Sequence, residues 1–296
     1  MVTFAVGSLS IKRIWEMNDH TFNLRSFFPL STDEAVLKHL DWMVPTHFNP
    51  HNGNIALSMH SWLIDTGSEK ILVDTCVGND KVRPGRDQWT GLRTQFLERL
   101  TQTGVHPADI DYVLCTHLHA DHVGWNTKLV DGSWIPTFPN AKYVFSQREY
   151  EFWTEQTSKG EGGPHLTAYQ DSVLPVIAAG QGLIIDDGYQ IGNCITLRSA
   201  PGHTPGHVAV WIDTPAGRAV LTGDIVHHPI QIYYPTWSCI GCLSPDLASA
   251  TRFRVLEECA ESGAVLVPAH FMAPHVGTVL HSGEAFAFRF RCENAG

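Results

Sequence analysis

Four side chains that bind metals lie within one short segment, Thr116 to His122, which has the pattern H-x-H-x-D-H. They are His117, His119, Asp121 and His122. Imidazole and carboxylate groups together suit zinc and other borderline first-row cations. His117 and His119 can turn to one side of the loop and the other two residues to the opposite side, so one loop can supply two metals. Such clusters are not explained by packing, although isolated histidines have many structural roles.

Three further candidate ligands, His203, Asp224 and His270, each follow a short apolar run with the length and composition of a β-strand. The runs are residues 195–197, 219–221 and 264–267. The early cluster also follows such a run, and loops at the edge of a rigid sheet are where functional side chains commonly converge. The seven residues therefore provide two sets of three ligands and one carboxylate to bridge them.

With these residues the chain resembles the metallo-β-lactamase-fold hydrolase superfamily from Asn54 to His270, including the strand pair Trp62–Gly67 and Ile71–Thr75. The resemblance implies how the ligands divide between two metals. The first site would hold His117, His119 and His203, the second would hold Asp121, His122 and His270, and Asp224 would bridge them. Asp74 would lie beside the site as the partner of a ligand.

The resemblance also implies the fold, an α/β protein with the four-layer αβ/βα sandwich architecture. The sequence contains neither a linker nor a tandem repeat. We expect one domain over residues 1–296, with 1–53 as an N-terminal extension packed on the core. Strands are predicted at 55–65, 70–75, 112–116, 142–146, 194–199, 207–213, 218–223 and 264–269.

Helices are predicted from caps and from apolar stripes. Ser31–Glu34 has the pattern of a capping box, which predicts a helix as far as Leu40. A helix over 88–103 would end at Gly104, and another is predicted over 147–157. A last helix over 245–262 has Ser244 and Pro245 at its start and Gly263 after its end.

Composition indicates a folded enzyme with a small-molecule substrate. Of 296 residues, 43% are hydrophobic, which excludes a disordered chain. The net charge of −10 argues against nucleic acid as a partner, and no apolar stretch is long enough to span a bilayer. Lys12 and Arg13 follow the first apolar residues, the wrong order for a secretory signal, so we expect a cytoplasmic protein. A homodimer is left open.

The ligand set predicts hydrolysis. Two divalent cations about 3.5–4 Å apart can hold a water molecule between them and make hydroxide available near neutral pH. That hydroxide would attack a carbonyl or phosphoryl centre without a Ser or Cys nucleophile. We expect zinc, with Mn²⁺, Fe²⁺ or Co²⁺ as alternatives. The candidate catalytic residues are Asp121, Asp224 and His227.

Within the superfamily, the residues present narrow the choice of reaction. His119 indicates a hydrolase, because the diiron oxidoreductases of this fold have Glu there. Asp224 disfavours β-lactamase activity, and the acidic charge disfavours the tRNA-processing nuclease. The chain is most similar in pattern to the quorum-quenching lactonases and the methyl-parathion-hydrolase-like enzymes, since Gly124 and Trp125 follow the metal motif. It departs from the best-known lactonases at His227, where they carry a Tyr that holds the substrate carbonyl.

We therefore predict a dinuclear hydrolase that cleaves a lactone or carboxylic ester of a small, partly apolar substrate. Alternatives are an aryl phosphotriester hydrolase, a thioester hydrolase resembling glyoxalase II, and an inactive member of the fold that acts in a complex. Candidate wall residues of the substrate site are aromatic; they are Phe22, Phe27, Phe28, Trp125, Trp134, Phe138, Tyr233, Tyr234 and Trp237. Most large aromatics are expected in the core.

The chain has seven cysteines, an odd number that favours free thiols. Cys239 and Cys242 form a C-x-x-C motif in a predicted loop. A zinc knuckle would need a second ligand pair at suitable spacing, and none is evident. We interpret the pair as structural.

Overall fold

A computed structural model of the protein describes residues 2–160, 162–283 and 285–291. These residues form two compact units. The first unit contains residues 2–16 and 59–189, and the second contains 17–58 and 190–291. Residues 1–53, predicted as an N-terminal extension, thus contribute to each unit, and the assignment of a single domain stays a prediction.

The strands in the described part of the chain belong to three sheets. They are β1 (Thr3–Val6), β2 (Leu9–Asn23), β3 (Phe48–Asn49), β4 (Asn54–Asp65), β5 (Lys70–Val73), β6 (Tyr112–Leu114), β7 (Thr127–Val130), β8 (Ser133–Pro136), β9 (Lys142–Ser146), β10 (Gly182–Ile185), β11 (Gln190–Ile191), β12 (Ile195–Ser199), β13 (Val208–Thr214), β14 (Gly217–Gly223), β15 (Val265–Pro268), β16 (Gly277–Ser282) and β17 (Ala285–Phe290). The α-helices are α1 (Leu24–Phe27), α2 (Asp33–Leu37), α3 (Leu40–Met43), α4 (Phe96–Thr101), α5 (Gln147–Lys159), α6 (Pro164–Ala168), α7 (Leu174–Ala178), α8 (Ile230–Tyr233) and α9 (Pro245–Ser262).

The first sheet has the order β1-β2-β4-β5-β6-β9-β10, with β3 paired to β4. Its strands β5, β6, β9 and β10 are parallel, with Leu72 opposite Val113 and Val113 opposite Tyr143. All three side chains are buried. Parallel strands end at the same edge of a sheet. The residues that follow β5 and β6, Asp74 and Thr116, are consequently neighbours.

The second sheet has the order β11-β12-β13-β14-β15-β16-β17. Strands β14 and β15 of this sheet are parallel, and Leu221 lies opposite Val267. Both strands therefore end at one edge, and Asp224 and His270 follow them there. The core of this unit is formed by apolar side chains of the sheet, of α9 and of the loop after β15; they include Trp211, Val255, Leu256, Phe271 and Phe288.

The eight predicted strands are confirmed, and their ends differ from the predicted ones by two residues at most. The helices predicted over 147–157 and 245–262 are confirmed as α5 and α9. Gly263 follows α9 with a φ of 69°, the left-handed conformation that glycine adopts at low cost. Among the described residues, no helix combines the length and the apolar character needed to cross a bilayer.

Two helix predictions were wrong in detail. The N-cap of α2 is Thr32 rather than Ser31, because the Thr32 hydroxyl accepts from the Ala35 backbone N–H at 3.2 Å. Helix α2 ends at Leu37, before the predicted end at Leu40, and a separate helix, α3, begins at Leu40 after His39, which lies outside helical geometry.

The predicted helix over 88–103 is likewise interrupted. A 3₁₀ turn at Asp87–Trp89 precedes α4, and Gly91 between them has a φ of 67°. The Thr94 backbone N–H donates to Asn79 Oδ1 at 2.7 Å, and this hydrogen bond takes the place of one within a helix. Helix α4 ends at Thr101, before Gly104.

Candidate metal centre

The first unit carries four of the predicted ligands in the loop after β6. His117, His119 and His122 are buried, and Asp121 is half-buried. The ring centroids of His117 and His122 lie 4.1 Å apart, and those of His117 and His119 lie 4.6 Å apart. Nitrogen atoms of His117 and His119 come within 4.8 Å of one another, as do ligand atoms of Asp121 and His122. The structure thus brings the four together as two neighbouring pairs.

Asp74 organises this loop. Its carboxylate accepts hydrogen bonds from the Thr116 backbone N–H at 2.8 Å, from the Thr116 hydroxyl at 2.9 Å, and from His122 Nδ1 at 2.9 Å. Thr116 Oγ1 also lies 3.1 Å from His117 Nδ1 and accepts from it. Asp74 therefore holds a proton on Nδ1 of His122 directly and of His117 through Thr116, so that Nε2 of each ring carries the lone pair with which an imidazole binds a metal.

The backbone at Asp74 is unusual for a residue with a side chain. Its φ is 57°, in the left-handed region, where Asp and Asn are tolerated better than most residues. The backbone N–H donates to the Leu114 carbonyl at 2.8 Å, which ties the turn to β6. Strain of this kind is retained where surrounding contacts determine the conformation, and it is common at functional sites.

His165 and Glu149 support the same loop. The His165 ring stacks on His119 with centroids 4.0 Å apart and planes at 26°, and its Nδ1 accepts from the Ala120 N–H at 3.0 Å. The buried Glu149 carboxylate accepts from the Leu118 N–H at 3.1 Å and from Trp153 Nε1 at 2.8 Å. These contacts fix the loop backbone on either side of His119.

In the second unit, three imidazole rings each place a nitrogen atom close to the Asp224 carboxylate. Its Oδ2 lies 3.2 Å from His203 Nε2 and 3.1 Å from His227 Nε2, whereas Oδ1 lies 3.0 Å from His270 Nε2. All four side chains are buried. One carboxylate thus presents a different oxygen to His203 and to His270, the geometry that a bridging ligand requires.

His270 and His203 each have a partner on the other ring nitrogen. His270 Nδ1 donates to the Ser58 carbonyl at 3.0 Å. His203 Nδ1 lies 3.5 Å from Cys242 Sγ. A ligand histidine whose second nitrogen is fixed in this way presents a single tautomer and ring orientation to a metal.

Gly202 lets the His203 loop approach α9. A β-carbon at this position would lie 2.2 Å from the Ala248 backbone nitrogen, and the φ of Gly202 is 132°. A side chain is therefore excluded both by space and by conformation. The loop is further held by backbone bonds from Leu243 N–H to His203 O at 2.9 Å and from Ser244 N–H to Gly202 O at 2.9 Å.

Burial and the Asp224 carboxylate determine whether His203 and His227 in the second unit are protonated. Burial disfavours the cationic form of His203, but the Asp224 carboxylate outweighs it and raises the pKa of His203 to about 10. For His227 burial dominates and lowers the pKa, so His227 is neutral at pH 7. Nδ1 of His227 is buried without a hydrogen-bond partner among the described residues.

Cys239 and Cys242 flank these histidines. Cys239 Sγ lies 3.4 Å from His227 Nε2 and 3.7 Å from Cys242 Sγ. Ligand atoms of His203, His227 and Cys239 lie within 4.8 Å of one another. The Cys239 thiol and then His203 lower the pKa of Cys242, whereas burial raises the pKa of Cys239 well above its usual value. The Cys239 S–H group therefore donates the hydrogen bond to Cys242 Sγ.

Some of the aromatic residues predicted to line the substrate site pack in the core, and others lie beside the site. Trp125 stacks on Phe96 with centroids 5.6 Å apart, and Phe138 packs on Tyr143, so both belong to the core of the first unit. Phe27, by contrast, meets the His227 ring edge-on at 5.6 Å. Phe22 packs on Phe27 at 4.8 Å, and the two form an apolar surface beside His227.

Sequence reasoning missed several of these supporting groups. His165 stands in no recognisable motif, and the Ser58 carbonyl is a backbone group that no sequence pattern indicates. The Cys239–Cys242 motif was visible, but its position beside His203 and His227 was not. Only the fold reveals that the motif and the ligand loop are neighbours.

A family model described as the metallo-beta-lactamase superfamily matches residues 55–270, well over half of the 296 residues. The chain belongs to this superfamily. Its fold is accordingly the mixed α/β sandwich of that family, and its His and Asp groups are able to bind metal ions.

Particular relatives are lactonases. An N-acyl homoserine lactonase of a Bacillus species is 29% identical over 181 residues, which cover 57% of this chain and 64% of the relative. The N-acyl homoserine lactonase AttM of Azorhizobium caulinodans is 33% identical over 172 residues, which cover 56% of this chain and 60% of the relative. The chain thus spans less than two thirds of the length of these curated relatives.

Solved structures agree on the fold. The hydrolase AbOPH of the beta-lactamase superfamily is 22% identical and superposes with a TM-score of 0.78 over 98% of each chain. AidC, described as a dizinc quorum-quenching lactonase, is 21% identical and superposes with a TM-score of 0.75 over 98% of this chain and 97% of that one. At these identities the likeness establishes the architecture.

Proposed function

We propose that this protein is a dinuclear metal-dependent hydrolase that cleaves a lactone or carboxylic ester of a small, partly apolar substrate. The observation that carries the proposal is the Asp224 carboxylate, with Oδ2 towards His203 and Oδ1 towards His270. In the proposed centre His117, His119 and His203 would hold one cation, and Asp121, His122 and His270 would hold the other. Asp224 would serve both cations, as the pattern of the superfamily implies.

The donor set fits divalent zinc, since imidazole and carboxylate ligands with fixed second partners are typical of it. Asp74 orients His122, and the Ser58 carbonyl orients His270. When bound, the two cations would lower the pKa of a shared water and polarise the oxygen of the substrate. Mn²⁺, Fe²⁺ and Co²⁺ suit similar ligands, so zinc is proposed as the first metal to test.

The remaining catalytic roles fall to residues of the chain. Asp121 is more exposed than the ligand histidines and is the proposed acceptor of the proton that the attacking water releases. His227 is neutral at pH 7 because burial lowers its pKa, and we propose that its one N–H, on Nε2, turns from Asp224 Oδ2 to donate a hydrogen bond to the substrate oxygen as negative charge develops there. Phe27 and Phe22 then offer an apolar surface to the non-reacting part of the substrate.

A second candidate, hydrolysis of an aryl phosphotriester, is favoured by His227. An imidazole stands where lactonases of the best-known type have a Tyr, and it can serve a phosphoryl oxygen as well as a carbonyl oxygen. A thioester substrate is the third candidate. An inactive, metal-binding member of the fold would retain the cations but none of these activities.

A substrate panel on the zinc- or manganese-loaded protein tests the proposal. It contains lactones, aryl esters, aryl phosphotriesters, a thioester and a β-lactam. The expected result is highest kcat/KM on a lactone or aryl ester, with activity abolished by a chelator and restored by metal. Dominant phosphotriester turnover would favour the second candidate, and metal binding without turnover on the panel would contradict the proposal of an enzyme acting on these bonds.

A further inference from the structure

The Cys239–Cys242 turn brings two thiols together in the second unit. The sulfur atoms are 3.7 Å apart, and the Cys242 backbone N–H donates to the Cys239 carbonyl at 3.1 Å. That bond closes a β-turn, whose first and fourth α-carbons lie within about 7 Å. A disulfide needs α-carbons about 4.4–6.8 Å apart. The backbone is therefore already shaped for a bond between the two sulfurs.

Each sulfur also contacts a histidine that faces Asp224. Cys239 Sγ lies 3.4 Å from His227 Nε2, and Cys242 Sγ lies 3.5 Å from His203 Nδ1. Both histidines approach the same oxygen of Asp224, at 3.1 and 3.2 Å. A single histidine thus connects each sulfur to the Asp224 carboxylate, which is proposed to bridge the metals.

The turn is open to small molecules at its tip. Ile240, between the cysteines, is 60% exposed, whereas Cys239 and Cys242 are 3% and 8% exposed. Its neighbour Gly241 is exposed and has no side chain to cover the sulfurs. A β-carbon there would lie 3.5 Å from Cys239 Sγ and 3.5 Å from the His203 ring. A peroxide can therefore reach the two buried thiols only if this exposed turn moves, and Gly241 offers no side chain to oppose the approach.

We propose that Cys239 and Cys242 are a modification site, a pair of neighbouring thiols that a peroxide converts reversibly into a disulfide. In the first step one thiol sulfur attacks the peroxide, the O–O bond breaks, and a sulfenic acid and one water form when hydrogen peroxide is the oxidant. In the second step the other thiol displaces the sulfenic hydroxyl as a second water, and the S–S bond forms. Two thiols are oxidised and one peroxide is reduced.

The disulfide would alter the partner of His203. A disulfide sulfur is a much weaker acceptor than the thiol or thiolate of Cys242, so the Nδ1 proton of His203 loses its hydrogen bond. This consequence rests on the proposed function, in which His203 is a metal ligand. Loss of such a partner typically costs about 10–100-fold in metal affinity or activity.

Mass spectrometry of the metal-loaded protein tests the modification without reference to activity. Trypsin cleaves after Arg218 and Arg252, so one peptide, 219–252, contains both cysteines. After hydrogen peroxide treatment this peptide should be two hydrogens lighter, and dithiothreitol should restore its mass. A peptide that keeps both thiols while Cys194 is oxidised, or that gains oxygen atoms in place of losing hydrogens, overturns the proposal.

Three variants complete the test. Cys239→Ser and Cys242→Ser should each abolish the loss of two hydrogens, and Cys194→Ser, a matched change at a half-buried thiol, should leave it intact. Hydrolysis by the wild type should fall about 10–100-fold in step with the disulfide and return on reduction. If the disulfide forms while activity and metal content are unchanged, the modification stands and its link to His203 is refuted. A protein inactive before oxidation leaves the mass result as the decisive measurement.

Discussion

Replacing Asp74 with Asn should weaken metal binding at two places at once. The carboxylate oxygen Oδ2 accepts from His122 Nδ1 at 2.9 Å and from the Thr116 hydroxyl at 2.9 Å, and Thr116 in turn accepts from His117 Nδ1 at 3.1 Å. In the variant, an amide NH₂ takes the place of Oδ2. This group donates hydrogen bonds, but it faces the Thr116 hydroxyl and His122 Nδ1, which are also donors. To restore the bonds, His122 must accept at Nδ1, and Thr116 must reverse and donate to His117. Each ring then carries its proton on Nε2, the atom proposed to bind metal.

The expected magnitude follows from those two rings. His117 and His122 are proposed to belong to different metals, so each site loses one ligand partner. A loss of about 10–100-fold in affinity at each site corresponds to about 1.4–2.8 kcal/mol. The fold should survive, because Asn keeps the shape of Asp and tolerates the left-handed backbone at this position, where φ is 57°.

Competition with a chromophoric chelator measures both zinc affinities, and urea unfolding of the metal-free protein measures stability. Asp87→Asn is the matched control, because Asp87 is exposed in the same unit and should change neither quantity. Asp74→Asn with wild-type affinity at both sites would refute the argument from tautomers. Equal losses of affinity and of metal-free stability would show that Asp74 serves the fold rather than the ligands.

Three further changes test other parts of the site and of the fold. Asp224→Ala should release both metals together, as elemental analysis would show, and loss of a single metal would contradict the bridge. His227→Ala should keep both metals and lower kcat by about 10²–10³-fold on the best substrate, and near-normal kcat/KM would exclude a substrate contact. Burial lowers the pKa of Lys81, which lies over the Trp134 ring, to about 7, so unfolding takes up a proton between this value and the unfolded pKa of about 10.4. The free energy of unfolding should therefore rise with pH across that interval, and urea titrations of Lys81→Met should lack this rise.

Much of the site could be predicted because each ligand follows an apolar run. The runs before Asp224 and His270 became β14 and β15, and their parallel pairing explains why these residues are neighbours. The long strand β2 was missed because Arg13 and Glu16 are buried within it. Two charged residues at inward positions hide the alternation that predicts a strand.

The groups that support the ligands, such as His165 and the Ser58 carbonyl, could not be predicted from the sequence, for a different reason. His165 reaches Ala120 across 45 residues of chain, and Ser58 reaches His270 across 212. Such pairs depend on tertiary packing and leave no local pattern. The hairpin β16–β17 was not predicted, although its inward residues Val279, Phe286 and Phe288 are apolar.

The partners of the ligand histidines differ in how easily evolution can remove them. His122 depends on the side chain of Asp74, and His203 on that of Cys242, so a single codon change deletes either partner. His270 depends on the backbone carbonyl of residue 58, which every amino acid supplies. Position 58 can therefore vary without loss of that bond, whereas positions 74 and 242 cannot. In a collection of related sequences, any residue that fits the buried position 58 should keep the bond to His270, whereas the other two positions should change only together with the metal they help to hold.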